Sequence, residues 1–240
     1  MKRIALSTLL ASTLFISAHA DTMKVTPLVT HTELGYIQTT GNTKTKTFNL
    51  DGNAKKAWGK HQGKITFDGQ YASDNGDETK NKYLIELNYN YAITDRLSFD
   101  YLVGYKADKF SGYDYQFYTG PGLQYKVLTG DIHKLVVDGN LLYSKDKYTD
   151  AQSEDYAAYR LKGVYDYQIS KNLKFNQELS IRGQFDDMPN YFAFSKTSFI
   201  SKLSDIFSAG VSYKIDYANR PPMDKQKTDT TFTLNLIADY

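Results

Sequence analysis

The stretch Tyr83-Leu84-Ile85-Glu86-Leu87-Asn88-Tyr89-Asn90-Tyr91-Ala92-Ile93 decides how this chain folds. Tyr83, Ile85, Leu87, Tyr89, Tyr91 and Ile93 alternate with Leu84, Glu86, Asn88, Asn90 and Ala92. Successive side chains of an extended strand point to opposite faces, so this order makes one apolar face and one mostly polar face. Three further stretches repeat the design. Leu97 to Lys106 sets Phe99, Tyr101, Val103 and Tyr105 against Ser98, Asp100, Gly104 and Lys106. Tyr159 to Gln168 opposes Leu161, Tyr165 and Tyr167 to Arg160, Lys162 and Asp166, and Phe207 to Tyr217 does the same with Val211, Tyr213 and Ile215. Tyr, Phe, Val and Ile favour strands, and no helical stripe of period 3.6 competes with the alternation.

Turn-forming residues divide the chain into about twelve strands. Tight turns are expected at Gly59 to Gly63, Thr94-Asp95-Arg96, Thr129-Gly130-Asp131, Ser170-Lys171-Asn172 and Ser204-Asp205. Longer, more polar connections are expected near Gly41-Asn42-Thr43, Ser73 to Lys80, Asp108 to Gly112, Lys145 to Asp155, Phe185 to Asn190 and Ala218 to Lys227. Short and long connections alternate, which describes a meander of hairpins with all its tight turns at one end. Gly120-Pro121-Gly122 interrupts an otherwise regular strand. Proline cannot donate to the ladder, so a bulge, a kink or an early strand end is expected there.

The 240 residues carry 29 Lys+Arg against 27 Asp+Glu and no cysteine. The absence of cysteine excludes a disulfide scaffold, thiolate metal sites and thiol catalysis. The balanced charge argues against nucleic acid as a partner. Residues 1–20 combine Lys2 and Arg3, an apolar run from Ile4 to Ile16, and the small residues Ala18 and Ala20. That is the pattern of a secretory signal peptide cleaved before Asp21, leaving 21–240 as one domain.

Alternation alone does not say which face lies inside. A β-sandwich buries its apolar face, whereas an outer-membrane barrel turns that face to lipid. The even strand number, strands of ten or more residues, and connections short at one end favour the barrel. So does tyrosine toward the ends of the apolar face, at Tyr83, Tyr91, Tyr105, Tyr125, Tyr143, Tyr167 and Tyr217. The alternating Phe232, Leu234, Leu236, Ala238 and terminal Tyr240 resemble the assembly signal of bacterial outer-membrane barrels, which implies the barrel assembly machinery as a partner alongside outer-membrane lipid. The expected fold is a single all-β, antiparallel, up-and-down transmembrane barrel of about twelve strands, closed by pairing Thr30 to Thr40 with Thr230 to Tyr240.

Glu33-Leu34-Gly35-Tyr36, Thr40-Gly41-Asn42-Thr43, Asp108 to Asp114 and Gly120-Pro121-Gly122 together resemble the family of salt-induced outer-membrane proteins, a domain of unknown function. The resemblance covers about residues 30–240. It implies an outer-membrane barrel of a Gram-negative-type bacterium with a link to salt or osmotic conditions, and it brings no catalytic residues.

No catalytic constellation stands out. His31, His61 and His133 fall at the end that carries the tight turns, whereas a rim hydrolase needs histidine near the long loops. No Gly-x-Ser-x-Gly motif occurs. The acidic stretches Asp74 to Glu78 and Asp146 to Asp155 lack the spacing of a calcium loop and read as exposed loops. No metal or cofactor is expected. The polar face is more informative, with Asp100, Lys106, Arg160, Lys162, Glu178, Arg182 and Lys196 as candidate lumen-lining charges among others of both signs. Twelve strands about 4.8 Å apart and tilted by about 40° enclose a cylinder roughly 24 Å across. Opposite charges then either pair across neighbouring strands and obstruct the lumen, or line a wet passage with a slight anion preference. The expected function is a non-enzymatic outer-membrane barrel tied to the envelope response to salt. A small-solute diffusion pore is the first alternative; a rim-active hydrolase and a secreted β-sandwich are the others.

Overall fold

The computed structural model describes residues 26–38, 44–222 and 224–240; the export signal expected over 1–20 and the connection expected near Thr40 to Thr43 lie outside them. Twelve strands follow in order: β1 (Val29–Gln38), β2 (Thr45–Trp58), β3 (His61–Asp74), β4 (Asp77–Ala92), β5 (Leu97–Asp108), β6 (Tyr113–Thr129), β7 (His133–Tyr148), β8 (Glu154–Gln168), β9 (Leu173–Gln184), β10 (Tyr191–Lys202), β11 (Phe207–Ala218) and β12 (Thr228–Asp239). Each pairs antiparallel with its sequence neighbours, and β1 pairs with β12, so the sheet closes on itself. A closed barrel leaves no sheet edge and excludes the sandwich. The closing seam runs from His31↔Asp239 to Leu34↔Leu236. The terminal residue locks it: Tyr240 N–H donates to the Thr30 carbonyl at 3.0 Å, and Thr30 N–H donates back at 2.6 Å.

The alternation sorts as the sequence implies. Leu34, Ile65, Leu87, Tyr101, Tyr143, Leu161, Leu179, Val211, Phe232, Leu234 and Leu236 are exposed on the outer wall. Glu33, Asp51, Glu86, Asp100, Arg160, Arg182 and Lys214, of opposite parity in their strands, are buried within. A surface this apolar around a polar interior suits lipid outside and water or ion pairs inside.

Five connections of two to four residues join the strands at the end that holds both termini. Hydroxyls organise two of these turns. Thr94 Oγ1 accepts from Leu97 N–H at 2.9 Å, and Ser204 Oγ from Phe207 N–H at 2.9 Å, the local bonds that draw Ser and Thr into turns. At the other end the connections lengthen to nine residues between β11 and β12. One tight turn breaks the expected segregation. Ser73 to Lys80 is a two-residue hairpin, with Asp74 paired to Asp77 around Asn75 (φ 50°) and Gly76 (φ 98°). Asn-Gly is the sequence that accepts two successive positive φ angles, and it overrides the polar composition around it.

The expectation for Gly120-Pro121-Gly122 is corrected in part: the strand neither ends nor slips register there, although Gly120 and Pro121 have no pairing partner on β7. β6 continues to Thr129, and Thr119↔Tyr143 and Gly122↔Asn140 stay in one register across the proline. The register shifts fall instead between Tyr113 and Tyr115 and between Lys126 and Leu128. A Cβ at Gly120 would lie 2.0 Å from the Leu141 carbonyl oxygen. Here β7 presses so closely on β6 that only glycine fits, and Pro121 sits opposite Tyr101 of β5.

Candidate functional site: the lumen

Charges on the inner wall pair, and most pair across the lumen rather than between adjacent strands. Lys214 of β11 reaches Asp51 of β2 at 2.6 Å and Asp68 of β3 at 2.5 Å. Lys196 of β10 donates to Glu33 of β1 at 2.9 Å, and Asn235 Nδ2 donates to the other Glu33 oxygen at 2.6 Å. Arg160 of β8 meets Glu86 of β4 at 3.2 Å. Asp216 of β11 binds Lys82 of β4 at 2.5 Å and Lys106 of β5 at 3.5 Å. Neighbour-strand pairs are the exception, as between Lys162 and Glu178 at 2.5 Å and Lys174 and Asp166 at 2.7 Å.

Lys106 and Asp216 stand on diametrically opposite strands of the twelve. An extended lysine and an aspartate together span about 13 Å between Cα atoms, roughly half the diameter of a circular barrel. The barrel is therefore pinched at this level, and its interior divides into two regions.

One region is packed solid against β5, β6 and β7. Leu102, Tyr118, Leu142, Tyr156 and Ala158 form an apolar cluster inside the barrel, with Leu84 against it. Gly104 leaves room for the Tyr118 ring, since a Cβ there would come within 2.1 Å of it. Below this cluster Asp100 is 1% exposed and accepts from Asn90 Nδ2 at 2.9 Å and Asn140 Nδ2 at 2.6 Å. Gly122 stands between Asp100 and Asn140 in the register, and its missing side chain lets Asn140 reach across β6. Amides satisfy this carboxylate, so it needs no cation. Asp146, expected in an exposed acidic loop, is instead buried in β7, where Gln116 Nε2 donates to it at 3.1 Å and Tyr156 Oη at 2.9 Å. The strand continues past Lys145 because Tyr148 still pairs with Tyr113.

The other region is a cavity of about 720 Å³ along the walls formed by β1–β4, β6 and β8–β11. It reaches His31, Lys55 and Lys174 at the turn end and Phe110, Pro221 and Lys225 at the loop end. Of the sequence candidates, Arg160, Lys162, Glu178, Arg182 and Lys196 line it. Asp100 belongs to the packed region, and Lys106 is held against Asp216. Glu33, Lys82, Tyr118 and Phe192 were not among the candidates. The first two have inward parity and were recoverable from it. The two aromatics read as lipid-facing by type, yet Phe192 shares parity with Lys196 and Tyr118 with Gln116, and the register Phe192↔Arg182 agrees in turning the β10 ring inward.

Nine Lys/Arg and nine Asp/Glu side chains line the cavity, so its gross charge cancels. The pairing does not cancel. At the loop end Asp224, Asp229, Lys225 and Lys227 are all without an ion pair and offset one another; elsewhere every lining carboxylate is in an ion pair, whereas Lys55, Lys64 and Arg182 have none.

The histidines lie at the turn end. His31 places its ring nitrogens 2.6 Å from Asp239 and 3.0 Å from Glu33. His61 bonds the Tyr89 hydroxyl at 2.7 Å and stacks on Trp58; His133 bonds the Tyr165 hydroxyl at 2.8 Å and stacks on Tyr167. These two sit among outer-wall aromatics, as in an interfacial belt. Among the described residues no group of three or more His, Asp or Glu side chains could hold a metal ion.

A family model described as "Protein of unknown function, DUF481" matches residues 32–240. The chain belongs to the DUF481 family. In sequence the chain is similar to the uncharacterised protein YdiY of Escherichia coli (strain K12), 27% identical over 208 residues, which are 84% of this chain and 79% of YdiY. Among solved structures, the NanC porin superposes with a TM-score of 0.52 at 9% identity, covering 88% of this chain and 98% of the porin. An outer-membrane channel from Pseudomonas putida F1 gives 0.51 at 10% identity, over 93% and 97%. The DUF481 barrel thus shares its fold with bacterial outer-membrane barrels.

Proposed function

We propose that this DUF481 barrel is a narrow outer-membrane diffusion channel for small hydrophilic solutes, with a weak preference for anions. The cavity that reaches both ends of the barrel carries this reading. Spread over the roughly 25 Å height of an outer-membrane apolar band, 720 Å³ leaves the centre of a water-sized molecule a mean width of about 6 Å. That width suits ions and small polar molecules. The ion-paired lining is nearly neutral, so no ring of one sign imposes strong selectivity. The unpaired Lys55, Lys64 and Arg182 tilt the balance toward anions.

The apolar outer wall supports insertion in the outer membrane, after export directed by residues 1–20 and delivery by the barrel assembly machinery through the Phe232 to Tyr240 strand. The turn end then faces the periplasm and the loop end the exterior. The resemblance noted in the sequence supports use of this channel in the envelope response to salt. Single-channel recording of the refolded protein tests the central reading. Discrete conductance steps with a small anion-directed reversal potential in a salt gradient are expected. A heat-modifiable, correctly folded barrel that passes no current would overturn it.

A further inference from the structure

Of the two arginines lining the cavity, Arg160 is neutralised by Glu86, and Arg182 faces no carboxylate at ion-pair distance. The Arg182 guanidinium contacts two aromatic rings, its Cζ lying over the Tyr118 ring at 4.6 Å from the centroid and over the Phe192 ring at 4.9 Å. The side chain is 9% exposed, and its Nη1 is buried without a hydrogen-bond partner. Both rings are themselves fixed. Tyr118 donates its hydroxyl to Glu86 at 2.6 Å, and Phe192 packs edge-on against Tyr113 at 5.9 Å.

We propose that Arg182, held against Tyr118 and Phe192, is an oxyanion-binding station in the lumen that takes a small carboxylate or phosphate. This deepens the channel reading and rests on the lumen being reachable by solute. Cation–π contact with the two rings engages the charge of the guanidinium but none of its N–H donors, so the fork that matches two oxygens of a carboxylate or phosphate is not used up by them. Two rings hold that fork in place before any ligand arrives, so little side-chain freedom is lost on binding. The apolar cluster of Leu142, Tyr156 and Ala158 behind Tyr118 keeps the local dielectric low and strengthens a charge-assisted contact. Asp146, the carboxylate on that side, accepts from Gln116 and Tyr156 through Oδ2 alone; its Oδ1 is buried without a hydrogen-bond partner, and it stands beyond ion-pair distance of Arg182 as the competitor an incoming oxyanion must outbid. Lys55 and Lys64 stand opposite each other across β2 and β3, nearer the turn end, as further unpaired cations along the route.

The test uses the refolded full-length barrel with inorganic phosphate and citrate as probes. Two measurements are made: block of single-channel current, and calorimetric binding in detergent, which needs no conduction. Wild type should show reversible block and binding by both probes. Arg182→Gln should weaken both about tenfold or more, the scale of losing a charge-assisted contact, and Arg182→Lys, which keeps the charge without the fork, should fall between. Gel heat-modifiability checks that each variant is folded; should Arg182→Gln fail it, Arg182→Lys carries the comparison. Conduction without block or binding overturns the station and leaves the channel standing. Binding lost in Arg182→Gln but without conduction overturns the channel and leaves the station. Binding equal in wild type and a folded Arg182→Gln variant overturns the station.

Discussion

Lys214 is the largest fully buried side chain among the described residues. It is 1% exposed and bridges Asp51 and Asp68, which face each other in register across β2 and β3. Lys214→Met keeps most of the side-chain volume and removes only the cation. Two carboxylates then remain side by side with no shared counter-charge. Breaking a buried ion pair from one side costs about 3–5 kcal/mol. Asp51 and Asp68 also border the cavity, where water can solvate them, so the lower end, about 3 kcal/mol, is expected. The assay is urea unfolding of the refolded barrel in lipid vesicles, read as the shift of midpoint at constant slope.

One control makes the argument specific. The triple variant Lys214→Met, Asp51→Asn, Asp68→Asn replaces the buried charges by neutral groups and should recover most of the loss. Unchanged stability of Lys214→Met, or a triple variant no more stable than Lys214→Met alone, would refute the reasoning.

Gly120→Ala should prevent assembly or cost several kcal/mol, because its Cβ would meet the Leu141 carbonyl at 2.0 Å and neither backbone can yield inside a closed ladder; loss of the heat-modifiable folded band checks it. Removing Tyr240 deletes the reciprocal backbone bonds to Thr30 that end the closing seam, so the folded protein recovered from the outer-membrane fraction should fall. Normal insertion would show that the seam closes without it.

The barrel was legible because one wall faces an apolar surrounding and the other does not, so period two survives in nearly every strand. Tyr83 to Ile93 and Phe207 to Tyr217 suffice to establish it, and strand count and closure follow from turn chemistry. The misread places share one cause: local composition was outvoted by pairing. Asn75-Gly76 sits in a polar stretch that resembles a loop, yet backbone preference at two positions makes it a hairpin. Asp146 resembles loop acid by its neighbours, yet β7 runs past it and turns it inward. Pro121 resembles a strand breaker, yet the ladder to β5 runs through it, and the ladder to β7 lapses at Gly120 and Pro121 and resumes in the same register.

The lumen was less legible than the wall, because its geometry is not a property of any one strand. Which charges line it follows from parity; which of them are neutralised depends on strands that meet only when the sheet closes. Lys214 and Asp51 are 163 positions apart, and nothing in either segment marks the other as its partner. The same holds for the aromatic contacts of Arg182. Tyr118 and Phe192 belong to the residue types that build the outer belt, but they share parity with Gln116 and Lys196, on the polar side of their strands. An aromatic residue standing among charges on one face of a barrel strand is therefore out of place as a lipid anchor. In this barrel two such residues converge on the one lining arginine without a counter-ion, which turns a compositional oddity into the most specific feature of the lumen.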